Sequence, residues 1–363
     1  MTTIVIKGGT IVDHAGERRG DVLVDSATGV IREVGLSLTG DEVLDATGCF
    51  VVPGLVDLHT HLRDPGHEAA ETIETGTRAA ALGGFTAVMA MPNTDPCTDS
   101  GPLVTAMLHR SADALCEVLV SATISLGRQG ESLSPMAEMA DLGVRLFCDA
   151  ARGVQDAGFM RRALEYAGSV GAATGLPIVL GQHCEMASLA AGSAMNEGAV
   201  ATRLGLAGQP AEAEELMIVR DIALARLTGV RVHFQQVSTA GSVAMIRAAK
   251  AGGVPVTAEV APHHFSLTDE ACESYDANFK VVPPLRTASD VAAIKEGLAD
   301  GTIDAIVSGH APHTPDAKEQ AFDEALPGVL GLETALAVSL TELDLPWPTW
   351  WRCCPGGLRP SPA

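Results

Sequence analysis

The chain has 363 residues, 47% of them hydrophobic and 4% aromatic, enough apolar material for one large domain with a small companion. Its 45 acidic residues against 24 basic ones give a net charge of −21, which argues against nucleic acid or an anionic membrane as partner, since both need a basic footprint. No apolar run is long enough to span a bilayer, and the eight cysteines form no C-x-x-C pair, so a soluble cytoplasmic protein with reduced thiols is expected.

Residues 1–52 read as short strands, "TIVIKGGTIVD", "DVLVDSATGVIREVG" and "EVLDATGCFVV", separated by Gly and Asp turns. They predict the N-terminal part of a small β-domain, and the alternating start has no signal-peptide pattern. After Pro53 the rhythm changes, and over residues 53–345 an apolar strand is followed by a helical stretch eight times. The predicted strands are "LVDLHTH", "TAVMAMP", "EVLVSAT", "VRLFCDA", "PIVLGQH", "VRVHFQQ", "PVTAEVA" and "DAIVSGH". Ala-rich amphipathic runs such as "AAETIETGTRAAALGG" and "SVAMIRAAKAGG" lie between them, several ending in Gly as helix C-caps do. Eight such units in roughly 250 residues predict an α/β fold, a (β/α)₈ barrel. A doubly wound open sheet is the alternative, although no G-x-G-x-x-G or Walker-type loop supports a nucleotide site in it.

The end of the chain breaks the pattern. All three tryptophans, Trp347, Trp350 and Trp351, fall in "PWPTWW", followed by "RCCPGGLRPSPA". Reading the codons for "WPTWWRCCPG" one base out of phase permits "LADVVALLSW", an ordinary amphipathic helix. An aberrant, disordered tail over residues 346–363 is therefore expected, either a frameshift product or a genuine Pro-rich segment.

Barrel enzymes place their chemistry at the C-terminal strand ends. The first barrel strand ends "DLHTHLRDPG", which puts His59, His61 and Arg63 at i, i+2 and i+4 on one face. Two imidazoles so placed can grip a metal ion, and the neighbouring guanidinium can fork onto a carboxylate. A bare His-x-His is a weak signal, but at a barrel strand end followed by Arg-Asp-Pro-Gly it is a strong one.

The motifs "VPGLVDLHTHLRDPG", "AMPNTDP", "QHCE", "VSTAGS", "APHHFSLTDE", "PPLRT" and "HAPH" occur in an order that resembles the dihydroorotases (type I-like) of the amidohydrolase superfamily, over residues 1 to about 345. The resemblance implies a zinc-dependent barrel with a small β-sandwich-like domain. It also implies interconversion of N-carbamoyl-L-aspartate and L-dihydroorotate in pyrimidine biosynthesis, with two zinc ions in the family. Carried over, His59, His61 and His183 match metal ligands, while Arg63, Asn93 and His313 match substrate contacts. Each has a bland reading too: His183 as a core histidine, Asn93 as a turn residue, Arg63 as an ion-pair former, His313 as a loop histidine.

Four positions depart from the family pattern. Ala150 stands for the metal-bridging Asp, Gln236 for a ligand His and Val282 for a substrate-binding Asn. Gly309 stands for the Asp that ligates metal and shuttles the proton, so no catalytic residue is intact. His233, an odd number of residues before Gln236, is expected to look away from the site, and Asp149 has the same parity problem relative to Ala150 unless a bulge turns it back. With three of six ligands left, weak or partial zinc occupancy is expected. Three readings follow: a working cyclic-amide hydrolase, a non-catalytic pseudo-dihydroorotase acting as assembly partner of aspartate carbamoyltransferase, or a damaged gene. A homodimer is among the assemblies left open.

Overall fold

A computed structural model of the chain describes residues 2–13, 16–346, 349, 350 and 353. The tail expected over 346–363, with Trp347 and Trp351, falls mainly outside these residues. The chain divides into two compact units, residues 1–55 with 345–363 and residues 56–344.

In the first unit β1 (Thr3–Asp13), β2 (Gly16–Asp25), β3 (Ile31–Gly35), β4 (Glu42–Asp45) and β5 (Phe50–Val51) make one mixed sheet. Its order is β3-β2-β1-β4, with β5 also on β1; β2 is antiparallel to β1 and β3, while β4 and β5 run parallel to β1. The β1–β2 register shifts between Ile6 and Gly9, where Gly8 takes φ +78°, and the Asp21 carboxylate accepts the Gly8 N–H at 2.8 Å. On the edge strand β4 the adjacent Val43 and Leu44 are both exposed, so both of its faces are open.

The second unit alternates strand and helix. It begins β6 (Leu55–Thr60), α1 (Ile73–Leu82), β7 (Phe85–Ala90), α2 (Gly101–Arg110), β8 (Glu117–Val120), α3 (Met136–Asp141) and β9 (Leu146–Cys148). Then come α4 (Ala157–Thr174), β10 (Val179–His183), α5 (Ala187–Ala190), β11 (Met195–Asn196), α6 (Ala199–Leu204) and β12 (Gly208–Gln209). It continues with α7 (Glu212–Thr228), β13 (Val232–Gln235), α8 (Ala240–Ala251), β14 (Val256–Val260), α9 (His263–Ser266) and α10 (Ala288–Asp300). The unit closes with β15 (Ala305–Ile306), α11 (Pro315–Lys318) and α12 (Ala335–Glu342).

All eight predicted strands are present, as β6, β7, β8, β9, β10, β13, β14 and β15, and they pair in parallel. Bridges between Ala122 and Phe147 and between Thr60 and His310 join the two runs of strands into a closed barrel. The short β11–β12 pair lies outside it. Helix starts follow their caps: Thr72 and Thr287 make capping boxes, and the Asp156 and Thr239 side chains accept from N3 backbone N–H groups. α4 and α7 stop at Gly175 and Gly229, both left-handed.

One buried carboxylate ties the first barrel strand to the last. Asp57 Oδ1 accepts from Ser308 N at 2.8 Å and from His59 N at 3.3 Å, and Oδ2 accepts from the Ser308 and Thr60 hydroxyls. Burial pushes the carboxyl up from its ordinary value, against these bonds. The variant Asp57→Ala strands four buried donors and should lower stability by about 3 kcal/mol in denaturant unfolding. A loss near zero would mean that the barrel closes without this carboxylate.

Candidate active site

The C-terminal strand ends open onto a cavity of about 330 Å³. Its lining includes every residue expected there as ligand or substrate contact: His59, His61, Arg63, Asn93, His183 and His313. Gln236, Val282 and Gly309 line it as well, whereas Ala150 does not.

The two histidines of β6 and its extension are oriented from behind. His59 Nδ1 donates to Glu259 Oε1 at 2.6 Å, and His61 Nδ1 donates to Asn93 Oδ1 at 2.7 Å. Both acceptors lack a proton there to give, so each fixes Nδ1–H and leaves the Nε2 lone pair bare. The rings stand edge to face with centroids 5.3 Å apart. His183 ends β10 with a buried Nε2 that has no hydrogen-bond partner among the described residues. Burial, with the charge of Arg63 second, keeps His61 well below the ordinary imidazole value; burial lowers His183 too.

His233 supports the site from outside the cavity lining. It does not line the cavity, yet its side chain points at the site's support: Nε2 donates to Glu259 Oε2 at 2.9 Å and Nδ1 meets the Thr257 hydroxyl at 2.8 Å. Gln236 adopts φ +50°, which ends the strand alternation on which parity rests. Burial alone would raise the Glu259 carboxyl, but the flanking His59 and His233 imidazoles overcome it and hold it at about 2.

The replaced positions are filled differently. Ala150 packs with Met91, Leu146 and Cys148 in an apolar cluster. Asp149 is consumed by the loop after β8, accepting from Ile124 N at 2.8 Å, Ser125 N at 3.1 Å and Ser125 Oγ at 2.5 Å, so no bulge returns it to the cavity. Gly309 has φ +61°, and a Cβ there would stand 2.8 Å from Ala261 Cβ, 2.9 Å from His263 Cε1 and 3.2 Å from Gln236 Nε2. The space a carboxylate would enter is thus taken by an imidazole and an amide. His263 and Glu185 are titratable lining residues that the sequence did not single out; they stand within "APHHFSLTDE" and "QHCE".

On the opposite wall Arg63 Nε donates to the Pro312 carbonyl at 3.0 Å, and burial lowers the guanidinium to about 10, still cationic at neutral pH. His313 Nε2 lies 2.9 Å from the Pro327 carbonyl and 3.3 Å from Arg63 Nη2. It cannot donate to the first and accept from the second, and the shorter contact favours Nε2–H. Burial, reinforced by the charge of Arg63, lowers His313 to about 4. Lys318 donates to the Ala277, Leu326 and Gly328 carbonyls at 2.6–3.0 Å, pinning this wall.

A catalytic zinc ordinarily takes three protein ligands. Among the described residues no three His, Cys, Asp or Glu side chains stand close enough to hold one ion. The donor set therefore does not fit a binuclear centre, although the oriented Nε2 atoms of His59 and His61 are what a metal would require of them. The cavity lining also carries the Arg63 cation and the Asn93 NH₂ group, hydrogen-bond donors of the kind that suit an anion.

A parallel barrel with His-x-His at the end of its first strand defines the metal-dependent amidohydrolase class. Solved structures agree in fold: an L-hydantoinase (dihydropyrimidinase) from Arthrobacter aurescens matches 98% of this chain and 81% of its own, with TM-score 0.84 and 24% identity. A D-hydantoinase matches 97% and 80%, with TM-score 0.82 and 22% identity. Residues 48–242 match the dihydro-orotase-like family model. A dihydroorotase from Pelotomaculum thermopropionicum is 52% identical over 342 residues, 94% of this chain and 79% of its own length. One from Citrifermentans bemidjiense is 46% identical over 345 residues, 94% and 80%. The chain belongs to the dihydroorotase family.

The lowered values of His61, His183 and His313 mean that these rings stay neutral where an ordinary histidine, near 6.5, would gain a proton. The ring Cε1–H NMR signals of His61 and His313 should hold still from pH 7.5 to 5.5, with His313 reaching its midpoint near 4, and His183 should titrate below the ordinary imidazole value. A midpoint near 6.5 for any of the three would contradict the buried, neutral site.

Proposed function

We propose that the chain is a dihydroorotase-type protein that recognises dihydroorotate or N-carbamoyl-L-aspartate through Arg63, Asn93 and His313 and turns it over poorly or not at all. The observation that carries this is the donor set: Ala150 and Gly309 bring no carboxylate, and no three donors converge among the described residues. In this reading the chain is a cytoplasmic protein of pyrimidine biosynthesis whose zinc is held below one ion per chain. His59, His61 and His183 are the residues that contact it. A partner role beside aspartate carbamoyltransferase predicts the same catalytic silence; the oriented His59–His61 pair supports enzyme ancestry over a scaffold, which has no need of it.

Elemental analysis and a dihydroorotate assay on one purified sample test the reading. Zinc below one per chain and turnover at least 10²-fold under that of the Pelotomaculum relative are expected, in line with the worth of a general base. Near two zinc ions per chain with ordinary turnover would overturn it. Restoring the carboxylate alone, Gly309→Asp, should recover no activity and should cost about 1–3 kcal/mol, because the new side chain meets Ala261 and His263 at a left-handed backbone position. The recognition half is separate: by calorimetry Arg63→Gln should weaken dihydroorotate binding at least tenfold, the cost of losing a charged hydrogen-bond donor. Unchanged affinity would remove Arg63 from the ligand.

A further inference from the structure

After β15 the chain leaves the barrel through "HAPH", residues 310–313, and this stretch lies between two others that wall the cavity. On one side is the segment beyond β6, residues 61–71, which carries Arg63. The His61 N–H donates to the His310 carbonyl at 3.0 Å, and Arg63 Nε donates to the Pro312 carbonyl at 3.0 Å. On the other side are residues 327–331, of which Pro327, Gly328 and Val329 line the cavity. The Ala311 N–H donates to the Val329 carbonyl at 2.8 Å, and His313 Nε2 to the Pro327 carbonyl at 2.9 Å. The approach on this side is close. A Cβ on Gly331 would stand 2.1 Å from the Ser308 carbonyl oxygen, and one on Gly328 2.3 Å from that of Ala311.

His310 does not line the cavity, yet its side chain spans both junctions. The Gly331 N–H donates to Nδ1 at 3.3 Å, which leaves the ring proton on Nε2, and Nε2 donates to Glu71 Oε2 at 3.1 Å. The His310 side chain is 3% exposed and that of Glu71 11%. Glu71 closes a loop that begins at Arg63: the His67 N–H returns to the Arg63 carbonyl and the Ala70 N–H to the His67 carbonyl, both at 2.9 Å. This loop is therefore held to "HAPH" at both ends, by Arg63 Nε at the first and by the Glu71 carboxylate at the last. Arg63 takes φ +62°, a left-handed backbone that a non-glycine residue keeps only where its surroundings hold it. We propose that Glu71 and His310 are positioning residues for ligand recognition. Through the loop they hold Arg63 in register with His313, whose Nε2 lies 3.3 Å from Arg63 Nη2. The inference rests on the reading of Arg63 and His313 as ligand contacts. Neither Glu71 nor His310 touches the ligand; they act by keeping two donors preorganised for it.

Calorimetry with dihydroorotate on the full chain, beside its melting temperature, is the test. Glu71→Ala should weaken binding about tenfold, the scale of a hydrogen bond to a charged group, in protein still folded at the assay temperature. Glu71→Gln still accepts from Nε2 and should recover most of the affinity. His310→Asn keeps an acceptor for the Gly331 N–H and loses the arm to Glu71, so it should bind as weakly as Glu71→Ala. The two changes together should cost no more than either alone. A second readout needs no ligand: the ring Cε1–H NMR signal of His313 should move in Glu71→Ala and return in Glu71→Gln, because the Arg63 charge beside that ring moves with the loop. Natural affinity in Glu71→Ala with an unmoved His313 signal overturns the proposal, whatever happens to the melting temperature. So does Glu71→Gln binding no better than Glu71→Ala. If the natural chain binds no dihydroorotate, the recognition reading fails, and the His313 signal alone decides the positioning role.

Discussion

The buried Asp57 carboxylate is the constraint from which the rest of the barrel unit takes its geometry. It accepts hydrogen bonds from both ends of the closed sheet, and the groups it holds flank the cavity on each side: the backbone of His59, and Ser308 immediately before Gly309. A carboxylate sealed from water is costly unless every lone pair is engaged, and here four donors engage it. The same bonds that hold the barrel closed therefore set the distance between the first-strand histidines and the eighth-strand turn. Stability and site geometry cannot vary independently in this part of the molecule.

Behind the cavity the supporting layer is complete, and within it the reacting layer is depleted. Glu259 lies fully buried between His59 and His233, and Asn93 aims the ring of His61. Such partners ordinarily exist to orient ligands and raise their basicity. Here they stand around a donor set that is too sparse for a metal centre among the described residues, in a pocket with oriented imidazoles and no carboxylate at Gly309. Glu185, on the rim, has the Gln209 amide at 3.5 Å.

The barrel was legible because its signals are periodic and local: apolar strands ending in turn residues, helices opening at Thr or Asp caps and closing at Gly. His59 and His61 were legible from the strand end; Arg63 lines the same cavity, but from beyond β6 and with a left-handed φ of +62°, not through strand alternation. What the sequence hid is non-local. Glu259 reads as one acid within "PVTAEVA", yet it stands 200 residues from the histidine it holds. His233 stays off the cavity lining, but its bonds to Thr257 and Glu259 depend on a neighbouring strand and could not be read from β13 alone.

The closed space at Gly309 also bears on the order in which such a site can be lost. While a carboxylate projects from that turn, the ring of His263 and the amide of Gln236 cannot lie where they do; once it is gone they can settle into the gap. Each later change on that side of the cavity is then selected against the new neighbours. The first loss is a single step, but its reversal requires several residues to retreat together. A glycine at this turn is therefore entered from a larger residue more readily than it is left.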